Sequence, residues 1–142
     1  MPASPDTDPR PDGLDAPQRY WAWLAILLTV SLAVLDGTIA NVALPSMRDN
    51  LGASDAQIEW VVAAYVLAFA LGLLPFGRLG DIVGRSRMFL IGVAAFTLAS
   101  ALCGMAPSIE MLIGARVLQG LGGAMMTPQV LAIATVTFPP HE

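Results

Sequence analysis

Residues 20–44 read YWAWLAILLTVSLAVLDGTIANVAL, and Asp36 is the one charged side chain among them. At 1.5 Å of rise per residue, a helical run of this length crosses a hydrocarbon core of about 30 Å. Tyr20, Trp21 and Trp23 open the run as an aromatic anchor at headgroup level. Pro45, which has no backbone N–H to donate, predicts its end. Three further apolar runs follow, at about 58–76, 88–105 and 111–138. Trp60 stands near the start of the second, and Pro139-Pro140 close the last. The expected fold is therefore an all-α membrane protein with four transmembrane helices. Four such runs in 142 residues, joined by short loops, disfavour a soluble bundle of buried helices.

The composition agrees. Hydrophobic residues make up 56% of the chain and charged residues 13%, against about 25% charged in soluble domains. Residues 1–19 differ from the rest. They are rich in proline and aspartate and lack hydrophobic periodicity, so a disordered tail is expected there. An acidic segment before the apolar run is unlike the basic start of a signal peptide. The chain contains no lysine and no basic patch that would suit nucleic acid. The single cysteine and single histidine exclude an internal disulfide and argue against a metal cluster or a clustered catalytic site. Neither a cofactor nor an enzymatic activity is expected.

Arginine sets the expected orientation. Arg10, Arg19, Arg78, Arg85 and Arg87 fall on one side of the alternating spans, and Arg48 alone on the other. The positive-inside rule then places the N-terminus and the loop between spans two and three in the cytoplasm. Small residues recur at helical spacing, as Ala64, Ala68 and Gly72, as Ala95, Ala99 and Cys103, and as Gly120 and Ala124. Such ladders let helix backbones approach closely in lipid.

Two charges lie inside the predicted spans. Asp36 is about 22 Å of rise beyond Trp21, and Arg116 about 8 Å in from the far edge of the fourth span. In a core of about 30 Å the two fall at similar depth. A charge at a helix centre costs about 2.5–3.5 kcal/mol to insert, so ionisable residues there mark ion or substrate paths by default. A structural ion pair is the plainer alternative. Gly120, Gly123, Thr127 and Gln119 lie on or near the helical face of Arg116, a polar stripe unlike a lipid-facing one. Pro128 just beyond can kink the helix.

The second loop reads Gly77-Arg78-Leu79-Gly80-Asp81-Ile82-Val83-Gly84-Arg85-Ser86-Arg87. It resembles the G-x-L-x-D-(R)-x-G-R-(R/K) signature of the major facilitator superfamily, matched by Gly77, Leu79, Asp81, Gly84 and Arg85. Ile82 and Ser86 replace residues that are commonly basic, and Arg87 lies one position on. The fourth span carries Arg116, Gln119 and Gly120 as an R-x-x-Q-G core similar to the family's helix-four motif. The first span, from Leu35-Asp36-Gly37-Thr38 to Asn41-Val42-Ala43-Leu44-Pro45, resembles the helix-one motif of the fourteen-helix drug:proton antiporter branch. The resemblance covers about residues 20–142.

The resemblance implies a partial N-terminal half of a major facilitator bundle, one three-helix repeat plus the first helix of the next. Its members alternate between inward- and outward-open states around a central cavity. It implies proton coupling at Asp36 and Arg116, cavity-lining roles for Asn41, Tyr65 and Gln119, and a gating loop of Gly77, Asp81, Gly84, Arg85 and Arg87. Asp81 is expected at the start of a helix, where a carboxylate caps free N–H groups. The implied activity is proton-coupled efflux of drugs or other small amphipathic molecules across a bacterial inner (plasma) membrane. The implied partners are the lipid bilayer, protons, a small-molecule substrate and the remaining helices of a longer transporter. A small four-span multidrug exporter acting as a dimer and a non-transporting membrane scaffold are the alternatives.

Overall fold

The computed structural model describes residues 16–137 of the chain. Four helices account for nearly all of them: α1 Ala16–Leu51, α2 Asp55–Val83, α3 Arg85–Gly104 and α4 Ile109–Thr137. Each is long and apolar enough to cross a membrane. The protein is an all-α membrane protein, with no strand among the described residues.

The helices overrun the apolar runs. Of the expected tail, residues 16–19 belong to α1, and residues 1–15 lie outside the described residues. Phe138, the expected end of the fourth span, also lies outside them. Pro45 does not stop α1, which continues to Leu51, and Pro75 and Pro128 are likewise inside helices. The reason is the cost of the alternative. A proline removes one helical hydrogen bond, whereas ending the helix leaves four carbonyls without intrahelical partners. In lipid each unpaired group costs several kcal/mol, so continuing is cheaper.

Most of the expected second loop is also helical. α2 runs through Gly77 and Asp81 to Val83, and Gly84 alone separates it from α3. Gly84 has φ +109°, a conformation that side chains with a Cβ rarely adopt. Its N–H still donates to the Gly80 carbonyl, so α2 is capped as the chain turns. At the opposite end Gly52 turns the chain at φ +60°, and Ser54 and Gln57 form a capping box that starts α2. Ser108 Oγ accepts from the Met111 N–H at the start of α4.

α4 is the central helix, packed mainly between α2 and α3. Its glycines allow this. A methyl group at Gly122 would meet Phe96 N of α3 at 2.7 Å, and one at Gly120 would overlap the Tyr65 carbonyl oxygen of α2. From the other side, Gly72 faces Ala124 and Gly92 faces Met125 and Met126. Near the Gly52 turn Ala53, Val61, Ile109 and Leu112 form a small apolar core, flanked by Leu44, Met47 and Leu51 of α1. No described residue of α1 is buried, and α1 touches the other helices only lightly, mainly α2 and α4.

Gly120→Ala is expected to destabilise the purified protein by about 1–3 kcal/mol, the usual cost of overpacking. Gly114, where an added methyl group would find nothing within 4 Å, should accept alanine without loss. Thermal unfolding midpoints that match for the two variants would show that the close α2–α4 approach is not required.

Candidate functional site

The two intramembrane charges meet. Arg116 Nη1 donates to Asp36 Oδ2 at 3.0 Å, joining α4 to α1. Both side chains are largely removed from solvent, at 7% and 16% exposure, which puts the pair well beyond the screened surface regime. The same Nη1 donates to Gln119 Oε1 at 2.9 Å. Gln119 Nε2 in turn donates to Asp36 Oδ1. The three side chains therefore close a ring in which each carboxylate oxygen accepts one bond.

Other elements complete the shell. Arg116 Nε donates to the Val61 carbonyl of α2 at 3.2 Å. The Tyr65 ring lies under the guanidinium, 4.4 Å from Cζ to the centroid, a cation–π contact. Cys103 Sγ of α3 lies 3.5 Å from Gln119 Oε1 and donates to it. That contact and the Arg116 bond fix the amide of Gln119 with its oxygen toward Arg116 and its nitrogen toward Asp36. No buried side-chain nitrogen or oxygen among the described residues lacks a partner. All four helices thus contribute to one charge cluster.

Beside the cluster, α1, α2 and α4 line an open-sided cavity of about 620 Å³. Its walls are mostly apolar, with Val30, Leu73, Met126 and Leu131 among them, and carry Thr29, Thr127 and Tyr65 as polar groups. Among the described residues no charged side chain lines it. Phe69 stacks beside Tyr65 in its wall, with centroids 6.1 Å apart and ring planes 10° apart.

The other expected site residues are spread out. Tyr65 lines the cavity, whereas Gln119 is fully buried inside the cluster and Asn41 is exposed on α1 and does not line the cavity. Asp81 is not at a helix start. It is exposed in the last turn of α2 and accepts from Arg85 Nε and Nη2 at 3.3 Å across the Gly84 break. The chain reverses its helical course only at Gly84, so the carboxylate ends one helix and its partner begins the next. Gly77 packs beside Pro128 of α4, and Arg87 is exposed at the start of α3.

Two participants in the cluster, and one buried polar residue outside it, are not marked by the sequence. The Val61 carbonyl is main chain, which no residue type marks. Cys103 stood out only as the end of a small-residue ladder. Gln129, fully buried, lies over Gly80 and donates to the Phe76 carbonyl at 3.1 Å. A second amide in the apolar fourth span was the signal available for it. Among the described residues no group of acidic, histidine or cysteine side chains could hold a metal ion.

Residues 26–142 match the family described as the Major Facilitator Superfamily. The chain is 48% identical over 143 residues to a probable actinorhodin transporter of Streptomyces coelicolor, an alignment covering 97% of the chain and 25% of that protein. It is 46% identical over 122 residues to a puromycin resistance protein of Streptomyces alboniger, covering 86% of the chain and 24% of the relative. It is 43% identical over 125 residues to a tetracenomycin C resistance and export protein of Streptomyces glaucescens, covering 87% and 23%. The chain spans about a quarter of the length of these relatives.

Proposed function

Because this chain belongs to the major facilitator superfamily, we propose that it supplies the first four helices of a proton-coupled exporter of small amphipathic molecules, with Asp36 as the proton-carrying group. The observation that carries the reading is the ring of Asp36, Arg116 and Gln119 within the membrane-spanning helices, set beside a cavity without charge. The names of the relatives, with antibiotic transport, resistance and export among them, support the substrate class. The family match favours this over a small dimeric four-span exporter or a scaffold.

The chemistry follows from the ring. As a carboxylate, Asp36 accepts from Gln119 on one oxygen and from Arg116 on the other. A proton arriving on either oxygen turns that oxygen into a donor, and the facing N–H bond weakens. Gln119 cannot compensate by turning its amide, because its oxygen is held by Arg116 and Cys103. Proton uptake therefore loosens α1 from α4, and proton release draws them together. A group whose bonding changes with its proton ties proton movement to helix movement, as alternating access requires. The neutral cavity suits an apolar or amphipathic cargo, which displaces water from its walls.

The test is export by the complete transporter that carries this segment, reconstituted in proteoliposomes. With the lumen acidified, ethidium or Hoechst 33342 should accumulate inside, and collapsing the proton gradient should release it. A panel of such dyes that moves no faster than in protein-free vesicles, with or without the gradient, would overturn the reading.

Orientation is part of the proposal, with the N-terminus and the Gly84 turn cytoplasmic on the arginine bias. Single cysteines at Asn50 and Ser86, in a Cys103→Ser background, probe it, since both positions are exposed. An impermeant maleimide added to intact cells should label position 50 and not position 86. The opposite pattern would invert the topology.

Asp81 and Arg85 are proposed as a latch at the cytoplasmic end, holding this half against the rest of the transporter. The pair is exposed, at 58% and 44% side-chain accessibility, so Asp81→Asn should change stability by less than about 1 kcal/mol. Transport should nevertheless fall several-fold at parental membrane yield. Parental transport would reduce the pair to a solvated contact between two helix ends.

A further inference from the structure

The cavity and the charge cluster are neighbours that share few groups. Asp36, Arg116 and Gln119 do not line the cavity, and Val61, which holds Arg116 Nε, does not either. Of the groups holding the guanidinium, Tyr65 alone also forms part of the cavity wall. From this geometry we infer that Tyr65 is a positioning residue that transmits occupation of the cavity to the Asp36–Arg116–Gln119 cluster. The inference rests on the exporter reading and adds the route by which cargo and proton are coupled.

The ring is placed for that task. It sits 4.4 Å from Arg116 Cζ, within the roughly 6 Å over which a ring face attracts a cation. Phe69 extends the same aromatic wall one turn along α2, nearly parallel to it. A flat cargo pressed against this wall bears on the Tyr65 ring, and the ring bears on the guanidinium. Cargo has no need to touch a charge to be felt by one. Packed side chains in contact carry coupling of this kind, and here the link is one side chain long.

Two glycines of α4 seat the ring. Gly120 has no Cβ where the Tyr65 carbonyl approaches, so the α2 backbone lies directly on α4. Gly123 lies beneath the ring's far end, where a methyl group would stand 3.3 Å from Tyr65 Oη and 3.2 Å from Phe69 Cδ2. Arg116, Gly120 and Gly123 follow one another at four- and three-residue steps, so one face of α4 presents both the cation and the seat for the ring that covers it. Filling the space at Gly123 would force both rings to give by a few tenths of an ångström.

The experiment measures dye-dependent proton release by the complete transporter in proteoliposomes, alongside dye affinity from fluorescence, with ethidium or Hoechst 33342, whichever the parent exports. Tyr65→Phe keeps the ring and should retain parental proton release. Tyr65→Leu removes it, and release per dye bound should fall about thirtyfold, the scale of a desolvated cation–π contact. Tyr65→Met, a flexible filler of similar length, should behave as Leu does and provides a second variant should Leu insert poorly. Gly123→Ala should reduce proton release in the parent and have no further effect beside Tyr65→Leu. Parental proton release in the Leu or Met variant would overturn the inference while leaving the exporter reading intact. So would an equal effect of Gly123→Ala in both backgrounds. A parent that moves no dye under a proton gradient would overturn the exporter reading and this inference with it.

Discussion

Asp36→Asn is expected to abolish dye export driven by a proton gradient, while dye binding survives. Site-to-site coupling free energies are typically about 1–3 kcal/mol, so losing the coupling corresponds to a fall of up to about 150-fold. The substitution cannot carry a proton. It also does more than remove a charge, because Asp36 accepts on both oxygens and asparagine has one acceptor and one donor group. Whichever way its amide turns, an N–H of residue 36 faces an N–H of either Arg116 or Gln119. One bond of the ring is lost, as it is when Asp36 is protonated. The variant should therefore resemble the protonated state locked in place. Dye exchange down its own gradient, which needs no proton cycle, separates this from misfolding. Parental export under a proton gradient alone would make Asp36 a structural residue and put the coupling group elsewhere.

Arg116→Ala is expected to be at least as severe, and to act on folding as well. Removing one partner of a buried ion pair costs about 3–5 kcal/mol, because the other charge is left without compensation. Here Asp36, Gln119 Oε1, the Val61 carbonyl and the face of Tyr65 all lose the same partner. Folded yield in detergent should drop sharply, and export should be absent. The double variant Asp36→Asn with Arg116→Ala should be more stable than Arg116→Ala alone, since no charge then remains buried. Double-mutant cycles read such a coupling directly. If the two losses simply add, the pair does not hold the helices together.

The helices and the meeting of Asp36 with Arg116 were legible because helical rise is uniform. Counting residues from Trp21 and from the far edge of the fourth span sets both charges at one depth. Gln119 was legible as a neighbour of Arg116 on its helix, though not as the bridge to Asp36, which depends on how α1 leans on α4. Helix ends were read less well. Pro45 and the glycines from Gly77 to Gly80 are helix breakers in water, but a lipid surround and a packed partner such as Gln129 keep the chain helical through them. The expected place of Asp81 at a helix start fails for the same reason, since α2 runs on to Val83. Tyr65 was read as a cavity residue, and its contact with Arg116 was hidden because it depends on two glycines of another helix.

The lack of any buried residue among those described in α1 bears on how the chain is made. Asp36 and Arg116 are 80 residues apart in sequence. At roughly 5–20 residues per second, several seconds pass between the synthesis of one and that of the other. α1 therefore enters the bilayer before the arginine that will meet its carboxyl exists, and its insertion cannot draw on the pair. It must rely on its own composition. Each central Leu, Ile or Val favours insertion by about 0.3–0.6 kcal/mol, and one aspartate opposes it by about 2.5–3.5 kcal/mol. Eleven Leu, Ile and Val residues between Leu24 and Leu44 outweigh the single Asp36. The greasy outer surface of α1 is thus what lets a newborn helix carry an acid into lipid and wait there for its partner.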